Sequence, residues 1–253
     1  MPISLMLDAG HGGRDPGAVY NGRQEKDDTL ELVLAIGEIL QNNGIDVEYT
    51  RTTDVYESPY QKAMEANEAG VDYFVSIHRN SFPRPNEVNG VESLVYNKSG
   101  VKYEMAQNIN AQLETVGFVD LGVKERPNLV VLRRTKMPAV LVEVGFINSD
   151  VDNNLFDANF DDIARAIADG ILDTLNGTQP EQEMRYSVQT GAFRNRKYAE
   201  NLLAELQEME FSARIEMGNG FYRVRVGNYP TLNDAVLMEQ RLKRAGYPTV
   251  IVT

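Results

Sequence analysis

Along residues 1–177, apolar runs of strand length alternate with amphipathic runs of helical length, and that alternation confines this part of the chain to an α/β sheet with helices on both faces. The strand patterns lie at residues 3–7, 45–50, 73–77, 91–96 and 139–144, and the helical patterns at 27–41, 60–69, 102–115 and 160–175. Gly44 and Gly70 each follow a helical run, where a left-handed residue closes a helix. A polar stretch containing Gly177 and Pro180 interrupts the alternation. It predicts a linker at 177–183 between a first domain, 1–176, and a second, 184–253.

The second domain repeats itself at an offset of 36 residues. Tyr186, Val188, Gly191, Phe193, Ala199, Leu206, Phe211 and Ile215 fall on Tyr222, Val224, Gly227, Tyr229, Ala235, Leu242, Tyr247 and Ile251. Each copy reads as strand, Gly turn, amphipathic helix and strand. Two copies make β-α-β-β-α-β, a small α+β domain of ferredoxin-like arrangement. Two helices cover only one face of such a sheet, so the other is open to a ligand.

Charge separates the two parts. Residues 1–177 hold 15 basic and 28 acidic side chains, against 10 and 9 in residues 178–253, within a total of −12. An acidic first domain repels a polyphosphate backbone, which argues against a nucleic-acid partner. No stretch approaches the roughly 18 apolar residues of a membrane span, so no membrane partner is expected. The N-terminal residues have no basic region followed by a long apolar run. The reading is therefore a chain made in the cytoplasm without an ordinary secretion signal, which reaches its place of action on release or lysis.

There are no cysteines and two histidines, so a transition-metal site has only His, Asp and Glu to draw on. His11 stands in the turn Asp8-Ala9-Gly10-His11-Gly12-Gly13 after the first strand pattern, and His78 follows the strand pattern at 73–77. In open α/β sheets ligands gather beyond the carboxyl ends of the strands, so both imidazoles are placed to meet. The apolar pattern at 139–144 carries one carboxylate, Glu143. A partner ion or a cap would explain it structurally; a general base facing an attacking water would explain it chemically. Two imidazoles and one carboxylate form a common catalytic zinc set. By spacing alone the third ligand is open among Asp8, Asp15 and Glu25.

The elements Leu7-Asp8-Ala9-Gly10-His11-Gly12-Gly13, Glu25, Ser76-Ile77-His78-Arg79-Asn80 and Val140-Leu141-Val142-Glu143-Val144-Gly145-Phe146 resemble those of the zinc-dependent N-acetylmuramoyl-L-alanine amidases. The resemblance covers most of residues 1–175. It implies Zn²⁺ held by His11, Glu25 and His78, with Glu143 as the catalytic carboxylate. It also implies hydrolysis of the amide between N-acetylmuramic acid and L-alanine in peptidoglycan. Asn80, Arg126 and Asn128 are candidate substrate contacts. Where the family usually has a small residue after the second His, this chain has Arg79, a difference expected to alter the rim of the site but not the metal.

The repeat resembles SPOR domains, peptidoglycan-binding modules, on Tyr186-Ser187-Val188-Gln189-Thr190-Gly191-Ala192-Phe193 and Tyr222-Arg223-Val224-Arg225-Val226-Gly227. In such domains the open sheet face holds glycan stripped of its peptides. Strand alternation sends Val188, Val224 and Val226 toward the helices and leaves Gln189, Phe221, Arg223 and Arg225 on the open face. The combined reading is a wall amidase, either a phage endolysin or a sporulation autolysin. Its alternatives are an inactive wall-binding protein and a zinc peptidase acting within the stem peptide.

Overall fold

The computed structural model describes residues 2–178, 186–218, 220–229 and 231–252. They belong to two compact units, Met1–Thr178 and Gln179–Thr253. In chain order the first unit contains β1 (Ser4–Ala9), β2 (Val19–Tyr20), β3 (Arg23–Gln24), α1 (Glu25–Asn42), β4 (Asp46–Tyr49), α2 (Pro59–Ala69) and β5 (Tyr73–Asn80). It continues with β6 (Val91–Val95), α3 (Val101–Val116), β7 (Asp120–Glu125), α4 (Val130–Arg134), β8 (Ala139–Phe146), α5 (Asp150–Ala158) and α6 (Phe160–Thr178).

Among the described residues, six strands form one sheet in the order β4-β1-β5-β8-β6-β7. β4, β1, β5 and β8 run parallel, while β6 pairs antiparallel with β8 and parallel with β7, so the sheet is mixed. Period-two alternation sorts side chains between its faces. Leu5, Leu7, Val75, Ile77, Val140 and Val142 pack with Leu32, Ile36, Ile109 and Ile167 from α1, α3 and α6. Met6, Phe74 and Leu141 pack on the other face with Ala66 of α2 and Val131 and Leu132 of α4. Asp8, Ser76, His78 and Glu143 continue this second set, two residues at a time, toward the strands' carboxyl ends.

Local chemistry sets several boundaries. Ser58 caps α2 in a reciprocal capping box with Gln61, Pro59 opens the helix, and Gly70 at φ 70° ends it. Gly44 is likewise left-handed, at φ 81°.

The structure departs from the sequence reading at several points. β5 runs on to Asn80, so His78 lies within a strand, because β8 continues to pair with it as far as Asn80 after β1 has ended opposite Ile77. β7 carries no apolar run, since at the sheet edge it buries only Val123. The short β2–β3 hairpin, α4 and α5 are further elements that the sequence reading does not contain. Residues 177 and 178, read as the start of the linker, instead complete α6; the rest of that stretch, 179–183, lies outside the described residues.

The contact between α3 and α6 depends on Gly170. A Cβ placed there would come within 2.6 Å of the Ile109 Cα. Gly170→Ala is therefore expected to destabilise the chain by about 1–3 kcal/mol through overpacking, against a gain of roughly 0.5–1 kcal/mol in helix propensity. Urea denaturation measures the balance, and a raised midpoint would show that the helices can separate without loss.

The second unit is β9 (Tyr186–Phe193), α7 (Arg196–Glu208), β10 (Ala213–Gly218), β11 (Phe221–Tyr229), α8 (Leu232–Arg244) and β12 (Val250–Val252). Its antiparallel sheet has the order β10-β11-β9-β12, the ferredoxin-like arrangement that the repeat predicts. Val188, Val224 and Val226 form its core with Ala199 and Leu206 of α7 and Leu242 of α8.

Candidate active site

His11 stands two residues beyond β1 with a left-handed φ of 61°. Its Nδ1 lies 2.9 Å from Asp15 Oδ2, which leaves Nε2 facing Glu25 Oε2 at 3.1 Å. His78 Nδ1 lies 2.9 Å from Glu25 Oε1. Glu25, the first residue of α1, thus stands between the two rings, whose centroids are 5.0 Å apart. Backbone groups aim its carboxylate: Ala18 N–H donates to Oε2 at 2.8 Å and Arg79 N–H to Oε1 at 3.0 Å. One ligand atom from each of His11, Glu25 and His78 lies within 4.8 Å of the others.

Glycines make this approach possible. A Cβ on Gly10 would meet the His78 ring at 2.5 Å, and one on Gly17 would meet Glu25 Oε2 at 2.5 Å. Nitrogen and carboxylate donors converging without a thiolate fit Zn²⁺. Asp15 supplies the outer carboxylate that commonly fixes the tautomer of a ligating histidine. Burial opposes a charge on the His11 ring, yet the carboxylates of Glu25 and Asp15 outweigh it and raise that ring to about 9. Burial also disfavours the Glu25 carboxylate, but the two imidazoles hold it well below the usual range.

The other two carboxylates open to the sequence reading have different partners. Asp8, 1% exposed, accepts from Lys62 Nζ and Thr50 Oγ1 at 2.7 Å each and from Ser76 Oγ at 2.6 Å. Asp15 touches the outer nitrogen of His11.

Glu143 is opposite His78 on one neighbouring strand and opposite Glu92 on the other. Its Oε2 is buried without a hydrogen-bond partner among the described residues. Burial pushes its carboxyl up to about 7; the His78 imidazole opposes the rise, while Glu25 and Glu92 add to it. Lys124 pairs with the Glu92 carboxylate.

A cleft of about 240 Å³ beside the histidines is lined by Glu57, Lys62, Asn128 and Leu129, among others. Of the candidate substrate contacts, Asn128 lines it. Asn80 does not: its Nδ2 donates to Glu92 Oε1 at 3.0 Å. Arg126 is exposed, with Nη1 donating to the Glu125 carbonyl. Sequence reasoning missed Lys62, although a lysine beside Ala63 and Ala66 on a helix's buried face was a usable signal. Arg79 does not reach the rim. It is 2% exposed and, as Val75 and Ile77 do, faces the side of the sheet that carries α1.

In the second unit, Gln189, Phe221, Arg223 and Arg225 alternate with the core valines and so share the sheet face away from α7 and α8. Phe221 is half-buried, with the Arg194 guanidinium 5.4 Å from its ring centroid. Arg223 donates to the Gly218 carbonyl at 2.6 Å, and Arg225 pairs with Glu216 at 3.0 Å.

Residues 5–173 match the N-acetylmuramoyl-L-alanine amidase family and residues 183–253 match the SPOR domain. The chain belongs to this amidase family. The sporulation-specific N-acetylmuramoyl-L-alanine amidase of Bacillus subtilis (strain 168) is 36% identical to the present amidase over 217 residues, covering 83% of each chain. The endolysin of Bacillus phage SPP1 is 36% identical over 195 residues, covering 71% of the amidase and 70% of the endolysin. Among solved structures, the N-acetylmuramoyl-L-alanine amidase from Clostridium difficile 630 superposes on 70% of the amidase and 98% of its own chain, with TM-score 0.66 and 32% identity. The catalytic domain of CwlV from Bacillus (Paenibacillus) polymyxa var. colistinus gives TM-score 0.63 and 32% identity, covering 69% and 98%. Among the described residues no helix is long and apolar enough to cross a membrane.

Proposed function

We propose that the first unit is a zinc-dependent hydrolase of the amide joining the lactyl group of N-acetylmuramic acid to L-alanine in peptidoglycan, with His11, Glu25 and His78 as metal ligands and Glu143 as the catalytic carboxylate. The observation that carries this reading is the convergence of one donor atom from each of the three ligands beside a strand that presents Glu143 opposite His78. When bound, zinc supplies Lewis-acid polarisation of the scissile carbonyl and a water that ionises near neutral pH.

The chain's own groups supply the rest. Glu143, with a free oxygen and a carboxyl that burial brings near neutrality, accepts the proton of the attacking water and returns it to the leaving nitrogen. Water oxygen bonds to the carbonyl carbon, the C–N bond breaks, and the products are the lactyl carboxylate and the free amine of L-alanine. Asn128, at the cleft wall, contacts the substrate. Asn80 and Arg126 are further candidate contacts, and Asn80 also orients Glu92 beside Glu143.

The second unit binds glycan through Gln189, Phe221, Arg223 and Arg225. The product of the first unit, glycan without peptide, is what such a face takes up. Covalent tethering then raises the local concentration of catalytic unit at wall already in process. The place of action is the cell wall, as a sporulation autolysin or a phage endolysin.

Digestion of purified peptidoglycan followed by mass spectrometry tests this reading. Stem peptides with a free L-alanine amine are expected from the untreated enzyme, none after chelation, and recovery on adding zinc back. New termini inside the stem peptide would indicate a peptidase, and no new termini at all a binding protein.

A further inference from the structure

Resting on the reading of His11, Glu25 and His78 as zinc ligands, we propose that Arg79 is a positioning residue that aims Glu25 at the metal from behind the sheet. Two routes lead from this one residue to that carboxylate. Its backbone N–H donates directly to Glu25 Oε1 at 3.0 Å. Its guanidinium grips Asp28, one helical turn further along α1 on the same side of the helix, with Nη1 2.5 Å from Oδ2.

The other end of the guanidinium is anchored in α5. Nη2 donates to Asn153 Oδ1 at 2.8 Å, and Cζ lies 4.2 Å from the centroid of the buried Phe156 ring. Asp28 also accepts from Arg23 Nε at 2.7 Å, and Arg23 reaches on to Asp157 of α5 at 2.7 Å. The first turn of α1, which begins with Glu25, is thereby tied to β5 and α5 at once.

A guanidinium buried to this degree costs desolvation, and burial lowers its proton affinity to about 10 while Asp28 opposes the fall. It therefore stays charged at neutral pH. A small side chain at this position could not span from α1 to α5. The ligand helix of this chain is thus held by a charge network.

Groups that orient a metal ligand from outside the coordination shell typically change metal affinity 10- to 100-fold when lost. The test is the zinc dissociation constant of the full chain, measured by competition with a chromophoric chelator, for wild type, Arg79→Met, Asp28→Asn and His78→Ala. Melting of each zinc-free protein is followed in parallel. Arg79→Met and Asp28→Asn are each expected to weaken zinc about 10- to 100-fold, and the double variant no more than the worse of the two.

A merely structural role would lower the melting temperature of the zinc-free protein and leave zinc affinity unchanged. Asp28→Asn keeps the side chain's size, so it decides the matter if Arg79→Met does not fold. Zinc binding by Asp28→Asn within twofold of wild type overturns the proposal. Wild type that fails to take up one zinc per chain, or His78→Ala that takes it up unimpaired, overturns the metal-site reading and this inference with it.

Discussion

Glu143→Gln is expected to lower kcat for release of stem peptides by ~10²- to 10⁴-fold, the usual contribution of a positioned proton-transfer group. Gln keeps the size of the side chain and forms hydrogen bonds, but it cannot carry a proton from water to the leaving nitrogen. KM should change little. Zinc content should stay at the wild-type level, because Glu143 lies beside the donor cluster and is not part of it. The alternative explanation of a buried carboxylate, a structural ion pair, is at odds with the unpartnered Oε2. Single-turnover kinetics alongside metal analysis provide the check, and a loss of less than about tenfold in kcat would exclude Glu143 from proton transfer.

Lys62→Met carries the largest expected effect on stability. The Lys62 ammonium is buried, and it donates to Asp8 Oδ1 at 2.7 Å and to the Ala9 carbonyl at 2.6 Å, beneath the loop that presents His11. Removing it leaves the Asp8 carboxylate buried with two hydroxyl donors and without its hydrogen-bonded counter-ion, at a cost of about 3–5 kcal/mol. Urea denaturation should show a lowered midpoint with an unchanged slope. Adding Asp8→Asn in the Lys62→Met background should recover part of the loss, since no uncompensated charge then remains.

The pH dependence has a definite sign. Burial disfavours the Asp8 carboxylate, but Lys62, Ser76 and the His78 ring together hold its carboxyl below the usual range in the folded state. The stability it contributes is therefore present above the unfolded value, about 3.9, and is lost as pH falls through the lower folded value. In Lys62→Met, burial without its main opponent should raise the folded value above the unfolded one and reverse the slope. The difference in stability between wild type and Lys62→Met should then narrow as pH falls from neutral toward about 4. A constant difference across that range would show that Asp8 does not titrate with folding.

Much of this architecture follows from local pattern. The near-continuous apolar runs that include Leu5, Phe74 and Val142 place β1, β5 and β8 in a buried sheet, because strands covered on both faces must be apolar on both. The 36-residue repeat of the tail dictates β-α-β-β-α-β for the same local reason. The edge strand β7 escapes this logic, as does the one-and-a-half-turn helix α4, since neither buries enough surface to impose a period.

The site is only half legible in that way. His11, His78 and Glu143 stand out because each interrupts or ends an apolar strand pattern. Three carboxylates near the first histidine were equivalent by spacing, and no local rule separates them. Tertiary contact does, and for two of the three it joins residues far apart in sequence: Glu25 meets His78 across 53 positions, and Asp8 meets Lys62 across 54 and Ser76 across 68, whereas Asp15 meets His11 across only four. The direction of Arg79 was decided in the same way, by the carboxylate of Asp28 and the ring of Phe156 on the far side of the sheet. Periodicity assigns a residue to one face of a strand. Which charge waits on that face depends on how the chain returns over it, and a buried charge takes its role from that partner.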